Sequence, residues 1–251
     1  MLLLLLKSLL PELENAIKTI RLDDLFQIQT GLLEGPSIDY YTDEQFDKKS
    51  QLRILRMGSF NPVTRKLKSK KELDDADKRL NEFRIYREKD KKSRTKILAK
   101  EKRVVAPNKI LDEDDYVINT RSVGEMPITG YSIRKSSEEG DFKSLGQVSI
   151  SHHFIVLKPR KSSLPLFVPF LHLMLDVLVD KQLRKIAEDK GFLRSKELRD
   201  LQFSIPINYE DQKKVFEKYA ALQMKVDEAN RTVDNFKNEL SQLVELRNDN
   251  Q

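Results

Sequence analysis

Residues 211–248 read DQKKVFEKYAALQMKVDEANRTVDNFKNELSQLVELRN. Apolar side chains recur at Val215, Tyr219, Leu222, Val226, Ala229, Val233, Phe236, Leu240 and Leu243. The steps alternate between four and three residues, which is a heptad seam with both core positions filled. No Gly or Pro interrupts it. At about 1.5 Å per residue the helix is about 57 Å long. One apolar stripe on a helix needs a second helix to cover it. No second heptad region of similar length occurs, so the expected partner is another chain. Packing along this chain's own globular part is the alternative.

Upstream of the helix the pattern changes. Pro159, Pro165 and Pro169 punctuate a loop before a helix expected from about Leu171 to Lys190. Further back, residues 104–157 read as strands and turns. Val104–Ala106, Tyr116–Ile118, Ile128–Ile133 and Gln147–Leu157 are β-rich runs. Another strand is expected over Gln51–Met57, ending at Gly58, and a turn at Gly35–Pro36. Residues 66–103 read as a highly charged helix with a thin stripe of Leu73, Leu80, Phe83 and Tyr86. Residues 1–20 read as an amphipathic helical segment broken near Pro11, with Leu13, Ile17 and Ile20 on its apolar side. The Leu2–Leu6 run is far short of the about 20 residues a bilayer needs, and it lacks a basic region or a small-residue cleavage site. A leucine end of this kind calls for cover by a partner. No membrane association is expected.

The 251 residues contain no Cys, which excludes a disulfide scaffold, a zinc finger and a cysteine nucleophile, and fits a cytoplasmic protein. The net charge is +6, but its distribution is uneven. From Arg65 to Arg103 there are 17 cations against 8 acids, a net +9. A polyanionic partner and a solvated cationic helix are both consistent with that stretch.

Catalytic signatures are missing. There is no phosphate-cradling glycine loop and no nucleophile elbow. Phe60–Asn61–Pro62–Val63 lacks the second proline and the aromatic of an aminomethyltransferase tetrapeptide. Asp112–Glu113–Asp114–Asp115 reads as a solvated turn rather than a metal cluster. His152 and His153, read as strand residues, would face opposite sides and not share a metal.

Three segments, in order, resemble the specificity (S) subunit of type I restriction–modification systems. The first is Arg21–Leu22–Asp23–Asp24–Leu25 followed by Gly31. The second is Leu111–Asp112–Glu113–Asp114–Asp115–Tyr116–Val117–Ile118–Asn119–Thr120–Arg121 with Gly124, where Ser122 stands in place of the usual glycine. The third runs from His152–Pro159 through the Leu171 helix to Leu198–Ile207, with Ile205–Pro206–Ile207 and Gln212 leading into the long helix. The chain has one recognition domain and one long helix where most S subunits have two of each, so it resembles a half subunit. The Lys-rich stretch at 66–103 has no counterpart in the family.

The resemblance implies an α+β fold: a mixed-sheet target recognition domain over 21–206, preceded by the 1–20 segment and followed by the coiled-coil helix 207–251. It implies no catalysis and no cofactor in this chain, with S-adenosylmethionine held by a partner methyltransferase (M) subunit and a restriction (R) subunit as a further partner. It implies sequence-specific binding of double-stranded DNA. Candidate contacts on expected loops are Ser59, Asn61, Arg65, Lys66, Lys68, Lys70 and Lys71. Asn119, Arg121, Ser122, Arg134 and Lys135 follow in the later turns. An ordinary surface charge is the competing reading for each. The seam residues would pair two copies, or this chain with another half subunit. A two-fold homodimer predicts a palindromic, interrupted target. The competing class is a coiled-coil scaffold or adaptor without specific DNA binding.

Overall fold

The computed structural model describes residues 17–31, 52–61, 64–76, 109–122, 127–134, 142–161 and 165–248. The leucine run, the expected strand at Val104–Ala106, most of the basic stretch and Lys135 lie outside the described residues. The chain divides into two compact units. One holds Ile20–Ser163 and Leu171–Phe203; the other holds the chain up to Thr19, Leu164–Phe170 and Ser204–Gln251.

The fold is α+β. Strand β1 (Ile17–Arg21) pairs with β10 (Gln202–Pro206). Ile17–Arg21 is therefore extended, not the end of a helical segment: Ile20 is buried while its neighbours are exposed, a period of two. A single helical turn, α1 (Leu22–Leu25), buries both leucines and leads into β2 (Phe26–Thr30). The main sheet has four antiparallel strands in the order β2, β9 (Phe154–Pro159), β6 (Tyr116–Asn119) and β7 (Gly130–Ser132). A parallel pair, β3 (Leu52–Leu55) with β8 (Gln147–Ile150), and a short hairpin, β4 (Phe60–Asn61) with β5 (Lys66–Leu67), complete the strands.

Every residue of β6 is buried, so the sheet is covered on both faces here. Val117 joins a cluster with Leu55, Phe60, Leu67, Tyr131, Phe154 and Val156. Phe60 lies 4.5 Å from Tyr131 and 5.4 Å from Phe154 between ring centroids, in tilted contacts that suit aromatic quadrupoles. Tyr116 points the other way. Its hydroxyl donates to Asp176 Oδ1 at 2.6 Å, on helix α2 (Val168–Leu178). Gly130 faces that ring, and a β-carbon at this position would lie 1.9 Å from the tyrosine oxygen. Gly31 meets a similar demand, since a β-carbon there would fall 2.1 Å from the Ser151 carbonyl.

The expected helix over Leu171–Lys190 begins earlier, at Val168, and holds one irregularity. Between α2 and α3 (Arg184–Lys190) the chain makes a π-helical turn, Val179–Leu183. A short helix, α4 (Ser195–Arg199), precedes β10, and α5 (Tyr209–Asn248) is the 40-residue helix that the heptads predict.

Three local expectations are corrected. Residues 66–69 are not helical. Lys66–Leu67 pairs with Phe60–Asn61, and helix begins only at 70, where Ser69 and Glu72 form a reciprocal cap. The Gln147–Leu157 run is two strands separated by a turn at His152–His153. The acidic turn is only partly solvated. Asp112 is exposed, but Asp115 is 1% exposed and binds Lys158 Nζ at 2.7 Å.

Candidate nucleic-acid interface

The β4–β5 hairpin carries the first group of predicted contacts, and several of them hold the hairpin itself. Ser59 Oγ accepts from the Arg56 N–H at 3.0 Å, and its carbonyl accepts from the Lys68 N–H at 2.9 Å. Asn61 Oδ1 accepts from the Thr64 N–H at 3.1 Å. Arg65 sits at the tip with φ of 56°, a left-handed conformation that costs a non-glycine residue about 1–2 kcal/mol. What holds it there is electrostatic. Its Nη2 donates to both carboxylate oxygens of Asp180, at 2.6 and 2.7 Å, and its Nη1 lies 3.6 Å from Asp176. Burial opposes the guanidinium charge, but the hydrogen bond and charge of Asp180, with the charge of Asp176, outweigh it and raise the pKa. Lys66 and Lys68 are half-buried, whereas Lys70 and Lys71 are exposed at the start of the following helix.

Asp180 lies in the π-helical turn and serves a second loop. Arg184 Nη2 is 3.1 Å from Asp180, and Arg184 Nε donates to the Ile128 carbonyl at 2.8 Å. The hairpin tip and the segment entering β7 are thus anchored to one acidic position. Asp176 also takes the Tyr116 hydroxyl. Burial, with the charge and hydrogen bond of Asp176, holds that phenol well above its ordinary pKa, so it remains a donor.

The end of β6 presents the second group. Asn119 is fully buried, and its amide is occupied internally. Nδ2 donates to the carbonyls of Arg121 (3.0 Å) and Pro127 (3.2 Å), while Oδ1 accepts from the Thr129 N–H. Its place is to fold the loop, which leaves it nothing to offer a base. Arg121 and Ser122, directly after it, are exposed. Arg134 pairs with Asp114 at 2.9 Å. His172 is buried beneath this region. Its Nε2 is 2.9 Å from the Asp114 carbonyl, which only accepts, so Nε2 carries the proton and Nδ1 receives the Ser132 hydroxyl at 2.7 Å. His152 and His153 do not face apart. In their turn the rings lie 4.0 Å from each other.

The long helix is anchored at its start. Gln212, buried, donates through Nε2 to the carbonyls of Pro165 (3.2 Å) and Pro206 (2.9 Å) and accepts from the Phe167 N–H at 2.8 Å. Phe167 packs edge-on against Tyr209 and Phe216. Of the seam residues, Val215 is buried and Tyr219 half-buried. Beyond them the stripe is bare. Leu222, Val226, Val233 and Phe236 are 47–60% exposed, and Ala229 is exposed with them. The side chains of Leu240 and Leu243 lie outside the described residues.

Sequence reasoning missed Asp176, Asp180 and Arg184. Their spacing of four along a helix was the available signal, since it puts two acids and a base on one face. Among the described residues no group of three or more His, Asp or Glu is placed to hold a metal. Among them, too, no helix is long and apolar enough to cross a membrane.

Comparison with protein-family models and with curated proteins finds no match. Solved structures do resemble the chain. The HsdS subunit from Thermoanaerobacter tengcongensis superposes with a TM-score of 0.51 at 16% identity, covering 92% of this chain and 45% of that one. The type I restriction–modification S subunit from M. genitalium gives 0.43 at 16% identity, covering 91% and 44%. A structure described as showing complex assembly and conformational transition of the type I R-M system gives 0.48 at 15%, covering 96% and 48%. The chain therefore shares the fold of the first of these, and it spans less than half the length of each.

Proposed function

We propose that the chain is a DNA-recognition subunit of a type I restriction–modification complex, in a half-subunit form. One observation carries the reading. A single mixed-sheet unit with an HsdS-like fold is followed by a 40-residue helix whose apolar stripe is bare beyond Tyr219. A second helix is what such a stripe requires. Two copies paired through Leu222, Val226, Ala229, Val233 and Phe236 would hold two recognition units about a helix length apart. A two-fold pair would read an interrupted palindrome. Pairing with another half subunit would use the same stripe and read an asymmetric site.

In this reading the chain does no chemistry of its own. A methyltransferase subunit in the cytoplasm supplies S-adenosylmethionine and methyl transfer, and a restriction subunit supplies cleavage. Arg121 and Ser122 are the base-reading candidates, because Asn119 folds their loop and leaves both exposed. Lys70 and Lys71 are phosphate candidates. Arg65 and Asn61 shape the hairpin that carries Lys66 and Lys68.

The test is duplex binding at increasing salt, with the methyltransferase that co-purifies. Phosphate neutralisation gives a steep negative slope of log K against log salt. A flat response returns the chain to the scaffold class. Arg121→Ala is expected to lose about 1–3 kcal/mol of preference for the cognate duplex over a random one. Equal loss on both duplexes would make Arg121 a phosphate contact.

A further inference from the structure

Thr120 is where three separate stretches of chain meet. Its N–H and its hydroxyl both donate to the His153 carbonyl, at 2.8 and 3.1 Å. Its own carbonyl accepts from the Leu193 N–H at 2.7 Å. Backbone bonds of this length bring the residues on either side of each partner close together. The exposed Arg121–Ser122 turn, the stacked His152–His153 pair and the stretch Phe192–Leu193–Arg194 therefore form one surface.

The last stretch is built to present two side chains. Gly191, at φ of 76°, ends α3 in the left-handed conformation that turns the chain. Leu193 is buried and fixes the segment, while Phe192 and Arg194 face solvent. The Arg194 guanidinium carbon lies 4.5 Å from the centre of the Phe192 ring. Phe26, Phe60, Phe154 and Phe170 are all buried, so Phe192, at 38% exposed, departs from the rule its own fold sets. Glu197, the carboxylate at this turn, accepts from the Arg194 N–H and from Lys190 Nζ at 3.2 Å, and its charge is used internally. What remains outward is a flat apolar ring, a guanidinium oriented by that ring, and a second arginine across the Thr120 junction.

We propose that this surface contacts duplex DNA, with Arg194 on a backbone phosphate and Phe192 packed against the neighbouring sugar and base. It rests on the DNA-recognition reading above and extends the interface to residues outside the loops that sequence singles out. A guanidinium held over a ring is already oriented for a phosphate, and an exposed ring offers a face on which any base can stack.

The experiment uses the full chain with its co-purifying methyltransferase and a fluorescent duplex, titrated at several salt concentrations. Arg194→Ala should reduce the salt slope by about one, and Arg194→Lys should restore it. Phe192→Ala should weaken binding about five- to hundredfold with the slope unchanged. Both side chains are exposed, so thermal melts of the variants should match the parent and separate contact loss from misfolding. Parent-like affinity and slope in both alanine variants would overturn the proposal while leaving the DNA reading intact. Intact duplex binding with loss of the co-purifying protein would overturn it too, and reassign the surface to a protein partner. Absence of salt-dependent binding in the parent would sink the DNA reading itself, and this inference with it.

Discussion

Asp115 offers a test of the buried side of the sheet in which the sign of the effect decides the outcome. The carboxylate is 1% exposed, and burial pushes its pKa up to about 6 from 3.8, against the pull of Lys158 at 2.7 Å. The folded protein then holds this proton more tightly than the unfolded chain. The group's contribution to stability is full below about pH 4 and is lost as pH rises through about 6. With about 1.4 kcal/mol per pH unit, the loss between those limits is about 3 kcal/mol. Asp115→Asn keeps an acceptor for the Asp112 N–H and for Lys158 but has no proton to release. Other acids titrate equally in both proteins, so the difference between them isolates this one. Urea unfolding at pH 4, 5, 6 and 7 should show the variant gaining on the parent by about 3 kcal/mol across the series. A flat difference would refute the reasoning. A parent that gains with pH would mean that the Lys158 ion pair outweighs the cost of burial.

Gly130→Ala puts a β-carbon 1.9 Å from the Tyr116 oxygen, so the ring must leave Asp176 or the strand must shift. A loss of about 2–4 kcal/mol in denaturant unfolding is expected, in the range of overpacked cores that also lose a buried hydrogen bond. Arg65→Gln and Asp180→Asn, made singly and together, should show a coupling of about 1–2 kcal/mol in a double-mutant cycle, because the pair is bidentate but partly exposed. A coupling near zero would leave the left-handed Arg65 without its explanation. Val233→Asp should convert the assembled chain to a monomer in analytical ultracentrifugation, since it places a charge in the middle of the bare stripe. An unchanged mass would put the seam elsewhere.

The long helix was legible because its signal is repeated: nine apolar positions in one register overrule any single residue. The central strands were legible for a similar reason, since Tyr116–Ile118 and Phe154–Leu157 are apolar on both faces. What failed to show depends on single long-range bonds. Ile17 and Ile20 fit a helical stripe as well as a strand, and only the distant β10 decides between them. His152 and His153 sit inside a β-rich run, and Ser151–His153 turns because Gly31 and Thr120 bond to its neighbours. Asp115 looks like its three acidic neighbours until Lys158, 43 residues away, takes it inward. At the interface the exposed Arg121 could be read from its turn. Asn119, Arg65 and Asp180 could not, because whether a polar side chain faces solvent or braces a loop is fixed by partners far along the chain.

The pairing of β1 with β10 has a kinetic consequence. Thr19 meets Ser204 across 185 residues, so the first strand to leave the ribosome waits for one of the last. At roughly 5–20 residues per second that interval is roughly 10–40 s. During it β1 is an unsatisfied edge, and β2 waits in the same way for β9. Synthesis of this chain therefore passes through a long period in which exposed strands are open to the wrong neighbour. Slowed translation or a chaperone that masks early strands would be felt in the yield of folded protein well before any effect on the finished molecule.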